Sequence, residues 1–267
     1  MAEENSELED AGAGLECVRN KRPFPLGENI WLLHAPFHMF GALPIDNNAV
    51  LIKDPKRKEM IVVNLTDIDE DGFRAVEELC EFQEVRLAWL ISTGDWHHFS
   101  IRLWQDHFPE AQTVIASKRP LKVNPDIRAE GIIVLDRENP EIEAISEDTL
   151  KLVPWLGSRQ PGLFPNRRPR VEVIVFHKPS GTLFITDHLL VVGEKLSLGL
   201  VAGVQANQIG FRVMDRKATQ DSVKRVMGIK GVRCLVFSHG KPSAGAVQRD
   251  EEAALKARLA GAYGFFT

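Results

Sequence analysis

Short runs of β-branched and apolar residues recur along the chain, at Asn29–Ala35, Ala49–Lys53, Met60–Leu65, Val85–Ser92 and Thr113–Ala116. They return at Gly131–Leu135, Leu150–Trp155, Val171–His177, Thr182–Thr186 and Val232–Phe237. Each has the length of a strand, and several are continuously apolar, which predicts burial on both faces. Helical spacing lies between them. Asp69–Phe82 opens with acids, which suit a helix N-terminus, and sets Phe73, Val76 and Cys80 three and four residues apart. His98–Phe108 puts Ile101, Trp104 and Phe108 on one stripe, and Ser222–Met227 and Asp250–Ala260 supply helical segments near the end. Strands interleaved with helices, without an internal repeat, predict a layered α/β domain.

Composition narrows the class. The 267 residues are 44% hydrophobic and 26% charged, ordinary for a globular chain and enough for a substantial core. Residues 1–22 read as a flexible acidic tail, leaving 23–267 as one domain. A formal net charge of -4 gives no global positive field, so neither nucleic acid nor an anionic membrane is an expected partner. Cys17, Cys80 and Cys234 form no CxxC pair, and reduced thiols in a cytoplasmic compartment are the simplest expectation. The stretch Leu189–Ala206 is broken by Glu194 and Lys195 and falls short of a membrane span. The sequon Asn64-Leu65-Thr66 closes an apolar strand and reads as chance. The Pro- and Arg-rich segment Ser158–Arg170 predicts a stiff, exposed, basic loop.

The candidate chemistry lies where strands end. Asp95, Trp96, His97 and His98 fill the turn between an apolar strand and a helix; Leu183–Thr186 runs into Asp187 and His188; Cys234–Phe237 runs into Ser238, His239 and Gly240. Three strands that each deliver His or Asp at the carboxyl end form a set suited to zinc or iron. No GxSxG elbow, HExxH helix, phosphate loop or dinucleotide fingerprint competes with this reading.

In this order and spacing the chain resembles the metallo-β-lactamase-fold superfamily, a four-layer αββα sandwich. The family carries His-x-His-x-Asp-His on one strand and loop, a later strand ending in Gly-Asp, and a last strand ending in His-Gly. Here the matching text is Thr93-Gly94-Asp95-Trp96-His97-His98, then Thr186-Asp187, then Ser238-His239-Gly240. Thr93, Asp95 and His97 depart from the motif, only His98 is identical to it, and Pro154–Ser158, where the family places a middle histidine, has none.

The resemblance implies one divalent metal ion, zinc first and iron second, held by His98, Asp187 and His239 with His97 completing the shell. It implies hydrolysis of a small ester, lactone, thioester or amide by a metal-bound hydroxide, with Asp95 as general base or water-orienting group. His34, His38, Trp96 and His188 are candidates for substrate contact, and specificity is expected in Ser158–Arg170 and Leu189–Gln208. Two other readings stay open: a non-catalytic ligand-binding protein that keeps the fold, and an iron-dependent oxidoreductase. A small-molecule substrate is the expected partner, and a homo-oligomer is compatible with all three.

Overall fold

The computed structural model describes residues 15–39, 43–135, 145, 148–159, 169–192, 203–206 and 212–267. Seven strands form the first sheet in chain order: β1 (Pro23–Gly27), β2 (Ile30–Met39), β3 (Leu43–Asp54), β4 (Glu59–Val63), β5 (Arg86–Ser92), β6 (Gln112–Ile115) and β7 (Ile133–Val134). β1 to β4 pair antiparallel and β4 to β7 pair parallel. The remaining strands are β8 (Leu150–Arg159), β9 (Pro169–His177), β10 (Thr182–Ile185), β11 (Leu189–Val192), β12 (Gly203–Ala206), β13 (Arg212–Val213), β14 (Cys234–Phe237) and β15 (Val247–Arg249). Six of them form the second sheet in the order β13-β8-β9-β10-β14-β15, and β11 pairs with β12 alone.

Among the described residues five α-helices flank the sheets: α1 (Glu70–Phe82), α2 (Ile101–His107), α3 (Arg119–Val123), α4 (Arg216–Met227) and α5 (Glu252–Tyr263). Alternation along the strands sorts side chains into three apolar layers. Leu32, Val50, Ile61 and Ile91 face Val173, Val175, Phe184 and Val236 between the sheets. Their neighbours Leu33, Leu51, Val62 and Leu90 face outward onto Phe73, Val76, Ile101 and Trp104 of α1 and α2. On the other sheet Ile174, Leu183, Ile185 and Leu235 meet Val223, Val226, Leu255 and Leu259 of α4 and α5. The result is the αββα order of layers, and it explains why these strands are apolar at every position.

Local chemistry sets the boundaries. Asp69 accepts from the Gly72 backbone N–H and starts α1, and Asp215 does the same for Ala218, so α4 begins six residues before the predicted Ser222. α2 starts at Ile101, later than the predicted His98, because the preceding residues are held in turns by the Ile101 N–H to His98 carbonyl and His97 N–H to Gly94 carbonyl bonds. The strand predicted at Ala49 extends back to Leu43 through Asp46, Asn47 and Asn48. Residues 1–14 of the expected tail lie outside the described residues, while Leu15 and Val18 pack against the inter-sheet core. Among the described residues no helix is long and apolar enough to cross a membrane.

The basic loop needs a correction. Residues 160–168 lie outside the described residues, but Ser158 and Arg159 end β8, and Arg170, counted as exposed from the sequence, is 1% exposed inside β9. Gly157 sits at the irregularity in β8 at φ +88, where its carbonyl accepts from Met214 and Asp215 N–H and an added Cβ would strike Thr219. Glycine alone suits that position.

His177, at the end of β9, gives the fold a pH dependence remote from any candidate chemistry. Its Nδ1 bonds Ser180 Oγ at 2.7 Å, its Nε2 is buried without a partner, and burial pushes its pKa down from 6.5 to about 4. The fold therefore favours the neutral ring. That stabilisation is complete above pH 6.5 and is lost as pH falls toward 4, a loss of about 3 kcal/mol at the limit. Urea unfolding at stepped pH is expected to show this slope and His177→Gln to flatten it; an equal slope in both proteins would refute the assignment.

Candidate metal centre

The register of one parallel pair builds the site. β10 pairs with β14 so that Ile185 lies opposite Phe237. Asp187 and His239 therefore emerge side by side, each two residues beyond its strand. β5 ends at Ser92, and the turn after it is held by Ser92 Oγ donating to the His97 carbonyl, 2.6 Å, and by the Val173 N–H donating to the Thr93 carbonyl, 2.7 Å. These bonds bring His97 over from the first sheet.

Asp187 is the hub. Its Oδ1 lies 2.7 Å from His97 Nε2 and 3.0 Å from His239 Nε2, and the ligand atoms of the three residues all fall within 4.8 Å of one another. His239 Nδ1 lies 3.1 Å from the Asp46 carbonyl, which fixes the proton on Nδ1 and leaves the Nε2 lone pair toward Asp187 in the neutral ring. His97 and Asp187 are buried, while His239 is partly open, so the group meets solvent on one side. Burial alone would lift the Asp187 carboxyl, but His97 and His239 outweigh it and hold it well below the usual carboxylate range. Burial opposes the His239 charge, and the Asp187 carboxylate more than reverses it, so that pKa is raised.

Two imidazole nitrogens and one carboxylate oxygen suit a borderline divalent ion, with room for a further ligand from the open side. The donor set fits the group that the resemblance implied. Its composition differs from the expected one: His97 joins Asp187 and His239, whereas His98 stands outside the trio, with Nδ1 buried without a partner and its ring against Phe99 at 4.3 Å. Burial, helped by the charges of Arg119 and His97, lowers the His98 pKa.

The other sequence candidates are placed as follows. Asp95 is buried, accepts a bond from Ser117 Oγ, and has its pKa raised by burial against the pull of Ser117 and Arg170. Trp96 stacks under the Arg170 guanidinium, 4.2 Å from carbon to ring centre. His34 is buried, with Nδ1 2.8 Å from Asn48 Oδ1 and Nε2 3.5 Å from Asp46 Oδ1, behind the carbonyl that orients His239. His188 is fully buried: Nδ1 lies 3.0 Å from Glu172 Oε2, Nε2 3.3 Å from the Tyr263 hydroxyl, and the ring stacks on Trp155. The side chain of His38 lies outside the described residues, as does most of Leu189–Gln208.

Several residues that shape the centre have no motif. Asn48 donates to the carbonyls of Phe237 and Gly240, both at 2.9 Å, and so ties β3 to the turn that carries His239. Asn64 donates to Asn47 Oδ1 and the Asn48 carbonyl and accepts from Thr93 Oγ1, linking the middle of β3 to the residues just beyond β4 and β5. Asn64 is fully buried, so its sequon carries no sugar in this fold. The available signal was three asparagines inside or at the end of apolar strands, positions where polar side chains need a structural reason. Arg170 and Glu172 escaped for the opposite reason, because arginine and glutamate near a basic loop read as surface.

Comparison places this architecture. No protein-family model and no curated protein sequence matches the chain. Solved structures do match: the DIM-1 metallo-β-lactamase exposed to ceftazidime, at TM-score 0.60 and 14% identity over 93% of this chain and 97% of that one. A metallo-β-lactamase from Erythrobacter litoralis with β-mercaptoethanol in its active site gives 0.59 and 15% over 92% and 98%. FIM-1 from Pseudomonas aeruginosa, in a mono-zinc form, gives 0.56 and 14% over 91% and 97%. Near-complete coverage in both directions, the αββα layers and the two strand-end acids and histidines agree on one conclusion: this chain has the metallo-β-lactamase fold.

Proposed function

We propose that the protein is a hydrolase of a small ester, lactone, thioester or amide that works with one divalent ion, zinc first, held by His97, Asp187 and His239. The observation that carries this reading is the convergence of two histidine nitrogens and one carboxylate oxygen within 4.8 Å at the carboxyl ends of β10 and β14 and the turn after β5. The similar solved structures include metallo-β-lactamases, one of them in a mono-zinc form, which makes hydrolysis the first chemistry to test.

His97, Asp187 and His239 would hold the ion, which would supply Lewis acidity, lowering the pKa of bound water toward about 7 and polarising a carbonyl oxygen. The chain's residues then divide the remaining tasks. His239 is oriented by the Asp46 carbonyl, and the backbone of His97 is held by its turn. Asp95, whose pKa burial raises from the usual carboxylate value, is the group that would take a proton during attack and return it to the leaving group. Trp96, half-buried beside it, walls the acyl side of the substrate.

A panel of aryl esters, thioesters, lactones and a chromogenic β-lactam, run with the zinc-loaded and the chelator-treated protein, tests this reading. Zinc-dependent turnover of at least one class is the expected result. No turnover of any class by a protein shown to hold zinc would overturn hydrolysis and favour ligand binding on the same fold.

A further inference from the structure

Among the described residues Arg170 is the one arginine or lysine that is buried, and it lies beside the centre rather than at the surface. Its Nη2 is 3.6 Å from Asp187 Oδ2 and 3.9 Å from Glu172 Oε1, and its charge also acts on Asp95. Both carboxylates are aimed by other bonds. Glu172 Oε2 accepts from Thr186 Oγ1 at 2.9 Å and from the His188 backbone N–H at 3.2 Å, and His188 Nδ1 lies 3.0 Å away, which turns Oε1 toward Arg170. Asp187 spends Oδ1 on the two histidines and turns Oδ2 to the guanidinium. Trp96 closes the remaining face.

A guanidinium in a protein cannot shed its charge, and burying one is unfavourable unless anions surround it. Here the Glu172 and Asp187 carboxylates lie within 4 Å of it and its charge also acts on Asp95, acids of the kind that would otherwise invite a divalent cation. We infer that Arg170 is an internal cation that fills, between Glu172 and Asp187, the place a second metal ion would take, and thereby limits the centre to one ion. The inference rests on the metal-site reading above. It deepens that reading by naming what fixes the count. It also assigns Arg170 a positioning role: holding Oδ2 of Asp187, it keeps Oδ1 directed at His97 and His239.

The test is zinc alone, in equilibrium dialysis of the full tag-free chain, with metal counted by mass spectrometry in the parent, Arg170→Gln and Arg170→Lys. The expected counts are one, two and one. The increment from parent to Arg170→Gln decides the inference, whatever the parent holds. A parent with no zinc and a variant with one ion would sink the metal reading of the trio and still support the role of Arg170. Equal counts in parent and Arg170→Gln overturn that role, as does a gained ion in Arg170→Lys, which keeps the charge. Should Arg170→Gln not fold without metal, refolding it in zinc carries the test. Folded protein with one ion more than the parent supports the inference, and no recovery overturns it.

Discussion

Asp187→Ala is expected to lower stability at pH 7 by about 3–5 kcal/mol in urea unfolding of the metal-free protein, the scale on which removing one partner of a buried ion pair acts. The structure gives the reason. Asp187 is 5% exposed, contacts both His97 and His239 through Oδ1, and holds its other oxygen 3.6 Å from the Arg170 guanidinium, so its loss leaves the Arg170 charge with Glu172, at 3.9 Å, and the more general influence of Asp95. Asp187→Asn keeps the shape and an acceptor oxygen but not the charge, and it is expected to fall between parent and alanine variant. The same substitutions remove the only carboxylate of the proposed ligand set, so zinc binding is lost in Asp187→Ala. A loss of stability below about 1 kcal/mol, the range of an exposed pair, would mean that the hub is less buried than described.

The second large effect falls on rate alone. Asp95→Asn is expected to reduce turnover by about 10²–10⁴-fold, the range that a positioned acid or base contributes. Zinc content should not change, because Asp95 is not among the three clustered ligands. The stability readout separates this role from a structural one. Asp95 is a buried carboxyl whose ionisation is penalised by burial, and the amide retains an oxygen to accept from Ser117. Removing that penalty is offset by the lost attraction to Arg170, so the variant should be about as stable as the parent. A rate within about threefold of the parent would remove Asp95 from the chemistry, and a large loss of stability would make it a structural residue.

The layer order of the fold was legible because it is written in apolar periodicity. Leu32 and Leu33 face opposite layers, and continuous runs such as Leu87–Ile91 announce burial on both sides. Asp187 and His239 were legible as strand-end residues. Their adjacency was not, since it depends on the Ile185–Phe237 register of a parallel pair separated by about fifty residues of chain. That His97, and not also His98, lies with Asp187 and His239 was illegible for a related reason. Consecutive residues in a turn point different ways, and the Ser92–His97, His97–Gly94 and Val173–Thr93 bonds set the turn that carries His97. Arg170 was misread outright, because composition marks the segment around it as basic and exposed while its own side chain enters the core. Buried polar networks such as Asn47, Asn48 and Asn64 rest on contacts between distant strands, and no local pattern encodes them.

The central claim is that His97, Asp187 and His239 hold one divalent ion. Its most direct test is metal analysis by mass spectrometry of the tag-free protein after zinc loading and dialysis, beside the His97→Ala and His239→Ala variants. The account predicts one equivalent in the parent and less than a tenth of an equivalent in each variant, with folding verified by circular dichroism. An empty parent, or one ion retained in both variants, would contradict it.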